Sequence, residues 1–523
     1  MSLLRAAATV SSLTLISRVT GLARDIIIAR AFGASALTDA FWVAFRIPNL
    51  LRRLFAEGAF TQAFVPILAQ IKQTSDDHES LQQTIDRVAA ALFSVLSLIT
   101  LLGIIGAPVI VLLVASGLTT PDKTAQFDAA VWMTRIMFPY IICMSLVSFA
   151  SGVLNTWKKF AVPAFTPVLL NLSMIAASLW VAPRIAEPIY ALAVGVMVGG
   201  IAQLAVQWWA ISRLHLRPKL TTSPRQALGD PIVRRVMRQM LPATLGVSVA
   251  QISILINTNI ATWLAPGSVS WLSFADRLME FPTALIGVAL GTVLLPTLSK
   301  AHADQAHEQY SQLLGWGMRL VFLLGLPAAL AMVLIADAMV ATLFQYGAFN
   351  AVDVKQTQVA VMAYSVGLIG LLLVKILAPG FYGKQDIKTP VKIAILVLVL
   401  TQTLNLILVP WLAHAGLALS IGLGACVNAL ALYIGLRRKN LYLPQSGWLL
   451  FMGKLLLALC VMSAVMLFIS GHVSWTDGSL AMWSRIYWLA LTLGASLASY
   501  LATLWMLGMR ASDLRRTNSR AQK

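Results

Sequence analysis

The sequence predicts an all-α polytopic membrane protein of about fourteen transmembrane helices: two pseudo-symmetric six-helix lobes followed by two further helices. Three observations predict it. The 523 residues are 59% hydrophobic and only 11% charged, with a mean hydropathy of +0.80. A soluble domain is about a quarter charged. Several apolar runs, such as 89–115 and 393–411, reach the roughly 20 residues that a membrane-spanning helix needs. Two separated stretches also recur at nearly one offset. A β-barrel would instead show alternating segments of about ten residues, and none are present.

The first span is expected at 9–31. Arg5 followed by the apolar run Ala6–Ile16 mimics a signal peptide. No small-residue cleavage site follows, and the helical pattern runs on through Arg18, Arg24, Asp25 and Arg30. We therefore read an uncleaved first span. The rest follow at 38–66, 88–115, 129–154, 161–182, 189–211, 240–264, 271–298, 315–340, 357–379, 390–411, 415–436, 447–470 and 482–509. The longest loop, 212–239, leads into DPIVRRVMRQM (230–240). That segment reads as a short basic amphipathic helix lying on anionic lipid.

Loop charge alternates across this span list. One set of loops carries Lys72, Arg87, Lys158, Lys159, Arg213, Arg217, Lys219, Arg225, Arg234, Arg235, Arg238, Lys300, Lys384, Lys388, Lys392, Arg437, Arg438, Lys439 and the basic tail 510–523. The other carries only Lys123, Arg184 and Lys355. The asymmetry places the first set and both termini in the cytoplasm. It also accounts for the net charge of +19, so no nucleic-acid partner is inferred. Cys143, Cys426 and Cys460 lie in apolar segments with no ligand spacing, so neither a disulfide nor a metal site is expected.

The repeat is carried by two pairs of segments. AFRIPNLLRRLFAEGAFTQAFVPILA (44–69) pairs with ADRLMEFPTALIGVALGTVLLPTLS (275–299), putting Arg46 and Arg277 231 residues apart. GVLNTWKKFAVP (152–163) pairs with GFYGKQDIKTP (380–390), putting Pro163 and Pro390 227 apart. Six spans separate the copies, so they keep one orientation, as in transporters built from two parallel repeats. The expected domains are an N-terminal lobe (1–220), a C-terminal lobe with the amphipathic linker helix (221–440), and two additional spans with a basic tail (441–523).

Charge inside the membrane is costly, about 2.5–3.5 kcal/mol per residue on insertion scales. It concentrates in three spans: Arg18, Arg24, Asp25 and Arg30 in the first; Asp39, Arg46, Arg52, Arg53 and Glu57 in the second; Asp276, Arg277 and Glu280 in the eighth. Arg18 and Asp25 are seven apart, as are Arg46 and Arg53; Glu57 is four beyond Arg53, and Arg277 and Glu280 are three apart. Each set shares a helix face. The arginines outnumber the acids, so a net cationic, water-filled cavity is expected. Some carboxylates would hold arginines in place while it is empty. Arginine suits a phosphate because its planar fork gives paired bonds and stays charged. Gly21, Pro48, Gly58 and Pro282 interrupt the same spans, permitting bends where backbone lines a cavity. Arg135 and Lys375 are single charges with no assigned role.

At this point the residues resemble a family. SRVTGLARD (17–25), ALTDAF (36–41), FRIPNLLRRLFAEGAF (45–60), ADRLMEFP (275–282) and LAPGFYGKQDIKTPVKIA (377–394) are similar to the MurJ (MviN) lipid II flippases. These belong to the multidrug/oligosaccharidyl-lipid/polysaccharide (MOP) exporter superfamily. The resemblance covers nearly the whole chain. It implies transport of lipid II, the undecaprenyl-diphosphate-linked disaccharide-pentapeptide used for peptidoglycan, by alternating access. It implies a substrate-binding role for Arg18, Arg24, Arg52 and Arg277, with Asp39 and Glu57 as cavity acids, and a lipid-tail groove formed by the last two spans. Asp25, Arg46, Arg53 and Glu280 would be supporting charges. No cofactor or metal is expected; membrane potential or an ion gradient would drive the cycle. Membrane lipids and the cell-wall synthesis machinery are the other expected partners.

Two relatives within the superfamily are the alternatives. One is an exporter of another lipid-linked oligosaccharide; the other is a multidrug antiporter, whose cationic substrates favour acidic cavities. A membrane enzyme acting on the same lipid would need catalytic acids. The only adjacent pair, Asp76 and Asp77, sits in the polar stretch KQTSDDHES, which reads as a solvated loop.

Overall fold

The computed structural model describes residues 3–51, 60–74, 78–219, 223–477 and 480–510. Among them the structure is α-helical, with no strand. The helices group into two compact units, Met1–Ser270 and Trp271–Lys523.

The first unit holds α1 (Leu3–Phe32), α2 (Ala36–Leu51), α3 (Thr61–Thr74), α4 (His78–Ile105), α5 (Ala107–Val114), α6 (Thr124–Met137), α7 (Tyr140–Thr156), α8 (Ala161–Ala176), α9 (Tyr190–Ser212), α10 (Pro224–Gly229) and α11 (Pro231–Thr262). Helix α8 packs between α1 and α9, α7 lies against α9, and α2 against α6. One buried cluster of this unit holds Phe60, Phe64 and Phe149, with Phe60 stacked on Phe64 and Phe149 tilted against both.

The basic segment 230–240 departs from expectation. It is not a separate helix on lipid but the first turns of α11, which continues unbroken to Thr262. Pro231 stands at the first helical position, and the Asp230 carboxylate accepts from the backbone of Ile232 and Val233. Val233, Val236 and Met240 join the buried cluster with Ile67, Leu68 and Val153. Protein therefore covers the apolar face that was expected to meet lipid, and Arg234, Arg235 and Arg238 stay exposed.

The second unit holds α12 (Ser268–Ala303, of which its first turn counts with the first unit), α13 (His307–Leu334), α14 (Ala336–Phe344), α15 (Ala351–Ser365), α16 (Leu368–Leu377), α17 (Pro379–Tyr382), α18 (Lys388–Arg438), α19 (Trp448–Ser470) and α20 (Met482–Met506). Helix α18 contains two expected spans and breaks at Ala413 (φ 48°, ψ −130°). Helices α16 and α18 pack so closely that a Cβ on Gly367 would come within 2.1 Å of the Gly422 Cα. This is the small-residue contact that lets helix backbones approach in a membrane. Helices α19 and α20 pair with each other and lean on α13 and α14.

Nine helical stretches among the described residues are long and apolar enough to cross a membrane, and the protein is a multi-pass membrane protein. The two units also repeat one local structure. Lys158 and Gln385 both adopt positive φ (59° and 61°). Lys159 N–H donates to the Leu154 carbonyl as Asp386 N–H does to that of Phe381. All three pairs are 227 residues apart, matching the Pro163–Pro390 offset.

Candidate functional site

In the first unit, the C-terminal half of α1 buries against α8. Arg24 (6% exposed) and Asp25 (2%) lie there. Arg24 donates Nε to Asp25 Oδ1 at 2.8 Å, pairs Nη2 with the same oxygen at 2.7 Å, and donates Nη1 to Asn171 Oδ1 at 3.1 Å. The Asn171 amide donates to the Ser17 carbonyl (3.0 Å) and to the Thr20 hydroxyl (3.1 Å). The network crosses from α1 to α8, so desolvation of the guanidinium is compensated on two sides. Arg18 shares this face by spacing, yet it is exposed and makes no bond to any described residue. The face is one; its cover ends below Gly21. Arg30 is exposed at the last turn of α1, where a cation complements the helix C-terminus.

Asp39, expected among the cavity acids, is buried with both oxygens occupied. Oδ1 accepts from the backbone N–H (2.8 Å) and hydroxyl (2.6 Å) of Ser270, and Oδ2 from the Gly267 N–H (2.7 Å). It thus holds the start of α12, where a carboxylate meets unpaired amides. Arg46 donates to the Thr258 hydroxyl of α11. Arg52, Arg53 and Glu57, with Gly58, lie outside the described residues.

In the second unit, Arg277 and Glu280 form the pair their spacing predicts: Nη1 to Oε2 is 2.6 Å. Their side chains are 26% and 41% exposed, so this pair is reachable where Arg24–Asp25 is not. Asp276, on the neighbouring position, is exposed. One turn further on, the Lys375 ammonium donates to the Thr283 carbonyl at 2.8 Å. A Cβ at Gly287 would strike the lysine stem at 2.4 Å, so that glycine makes its berth. Lys375, unassigned from its spacing, continues the polar edge of α12. Arg135, also unassigned, donates Nε to the Ile104 carbonyl at 3.3 Å, at the end of α4, and lies beside the Trp132 ring. It satisfies a terminal helix carbonyl.

Sequence reasoning missed one buried cation. Arg485, near the start of α20, is 3% exposed. It reaches the Ala341 carbonyl near the end of α14 (3.5 Å) and the Tyr346 ring. Its position inside an apolar span was the available signal.

The comparisons with known proteins agree with one another. A family model described as "Lipid II flippase MurJ" matches residues 28–485. The chain is 52% identical over 516 residues to the protein named Lipid II flippase MurJ of Burkholderia cenocepacia, covering 99% of each. It is 40% identical to the probable lipid II flippase MurJ of Haemophilus influenzae, covering 96% of this chain and 99% of that one. Among solved structures, one titled "Lipid II flippase MurJ, inward closed conformation" superposes with a TM-score of 0.77 at 22% identity, over 97% of this chain and 99% of that one. An inward-facing multidrug resistance MATE family transporter of the MOP superfamily gives 0.66 at 16%, over 83% and 98%. At these identities the two structures establish a shared fold.

Proposed function

The chain belongs to the lipid II flippase MurJ family, and from that premise we propose that arginines of both units take the diphosphate of the lipid it moves. The protein is a lipid II flippase, a transporter and not an enzyme, and lipid II is its substrate. The Arg277–Glu280 pair carries the proposal. Glu280 holds the guanidinium extended and partly exposed. An arriving phosphate offers two charged acceptor oxygens in place of the carboxylate, so Arg277 exchanges one acceptor for the other. Arg18, exposed and unbonded, serves as a second ligand. Arg24 is locked in its network and acts once that network opens; Arg52 is the fourth ligand by resemblance. Alternating access between lobes 1–220 and 221–440 then carries the head group across. The prenyl tail remains in apolar surroundings along α19 and α20, whose outer faces expose Leu449, Leu456, Phe468, Trp483 and Trp505.

The proposed setting is the bacterial cytoplasmic membrane, both termini inside, within reach of the cell-wall synthesis machinery. Membrane potential is the proposed drive. With the inside negative, each negative charge carried outward gains about 2.3 kcal/mol per 100 mV. The same field favours return of the empty cationic site.

Titration of the purified chain with lipid II, read by native mass spectrometry, tests the site. Arg277→Ala should weaken binding about tenfold or more, the worth of a charge-assisted bond. Arg277→Lys should recover only part of it. Unchanged affinity in Arg277→Ala contradicts the assignment.

A further inference from the structure

Two hollows in the second unit share a wall. The smaller, about 160 Å³, is bordered by Arg319 of α13, Gly447, Phe451 and Lys454 at the start of α19, and Gly508 just past α20. The larger, about 590 Å³, is apolar; Met318, Phe322, Leu373, Cys426, Trp448 and Met452 are among its lining. The Arg319 guanidinium lies 5.4 Å from the centre of the Trp448 ring, and Phe322 meets that ring edge-on at 6.0 Å. Trp448 therefore separates a cationic hollow from a greasy one. Arg319 gives one Nη to the Ser446 carbonyl (3.2 Å), while its Nε is buried with no partner among the described residues. Lys454, one turn beyond Phe451, makes no bond to a described residue. Among the described residues, no Asp or Glu lines either hollow.

Two cations bordering one small space, with no acid beside them among the described residues and with a buried donor that no described residue pairs, call for an anion. Lys454 alone reads as a lysine snorkelling from the first turns of a membrane helix. Arg319 changes that reading, because two aromatic rings, Trp448 and Phe451, fix its guanidinium beside the lysine. A free phosphate would leave the adjoining apolar hollow, of ordinary ligand-site size, without an occupant. A lipid fills both. We propose that this pair of hollows binds one anionic phospholipid, its phosphate between Arg319 and Lys454 and one acyl chain past Trp448. The site lies within the second unit and uses none of Arg18, Arg24 or Arg277. It is thus a resident-lipid site apart from the transported lipid, tying α13 to α19 and the end of α20.

Native mass spectrometry of the delipidated full chain tests this, with phosphatidylglycerol, phosphatidylethanolamine and inorganic phosphate as separate titrants. One phosphatidylglycerol should bind at least fivefold more tightly than phosphatidylethanolamine. Lys454→Glu should lower that affinity about tenfold while leaving lipid-free thermal unfolding unchanged. Cys426→Trp, which fills the apolar hollow from α18, should lower it as well. Equal affinity for the two phospholipids, retention in Lys454→Glu, or displacement of phosphatidylglycerol by equimolar inorganic phosphate would each overturn the proposal.

Discussion

Arg24 and Arg277 carry the same charge in the same kind of helix, yet their surroundings give them different work. Arg24 is buried with Asp25 and Asn171, so removing its carboxylate leaves a charge uncompensated in a dry site. Asp25→Ala should cost about 3–5 kcal/mol of stability. Thermal unfolding in detergent checks this. The double variant Arg24→Met/Asp25→Leu should recover most of the loss, because a matched apolar pair carries no desolvation penalty. Recovery without transport would separate fold from function at this position. Spacing in the sequence disclosed that Arg277 and Glu280 meet, since both lie on one helix. It could not disclose Asn171, which sits 147 residues from Arg24. Asp39 teaches the same lesson: a carboxylate inside a span looks like a cavity acid until the amides of Gly267 and Ser270 appear beside it. Arg135 and Lys375 had no reading for the same reason, as each is satisfied by a carbonyl of a distant segment.

Helix positions were legible because apolar runs must match the membrane, and the Pro and Gly punctuation is local. What covers a helix was not legible. The basic start of α11 has the amphipathic pattern of a lipid-surface helix, but the same pattern suits burial against α3 and α4, and burial prevails here. Close packing was equally hidden. Gly367 and Gly422 are ordinary glycines in sequence, and only their contact shows that Gly367 has no room for a side chain. Gly367→Ala should reduce the yield of folded protein severalfold, read by size-exclusion fluorescence. Gly453→Ala, with nothing within 4 Å of its Cβ, should be neutral or slightly stabilising. The turn before α18 adds a pH expectation. The Lys439 ammonium, 2.5 Å away, and the Thr389 hydroxyl hold the Asp386 carboxyl down at about 2. A depressed carboxyl pKa contributes stability above its unfolded value, and that contribution is lost as pH falls through about 2. The pair is partly exposed, so the effect is small, under about 1 kcal/mol. Asp386→Asn should remove that difference between pH 5 and pH 2 in thermal unfolding.

At the scale of the whole molecule, the sequence repeat is weak residue by residue, and two of its matched segments end a helix in the same way. The turns at Lys158 and Gln385 share a left-handed residue and the same hydrogen bond at one offset, a helix ending that His215, Gln305 and Asn440 also adopt. The C-terminal pair of helices lies outside that repeat. Fold and family were legible because long motifs and hydropathy survive without knowledge of contacts. The grip on the substrate was only partly legible, because it depends on which arginines are free, and freedom is a property of packing. That grip can be read in cells that rely on this protein, as outer-leaflet exposure of lipid II compared with cells carrying Arg277→Ala at matched membrane levels. Exposure should collapse while lipid II accumulates on the inner leaflet. Undiminished exposure would contradict it, leaving Arg277 a structural partner of Glu280 and nothing more.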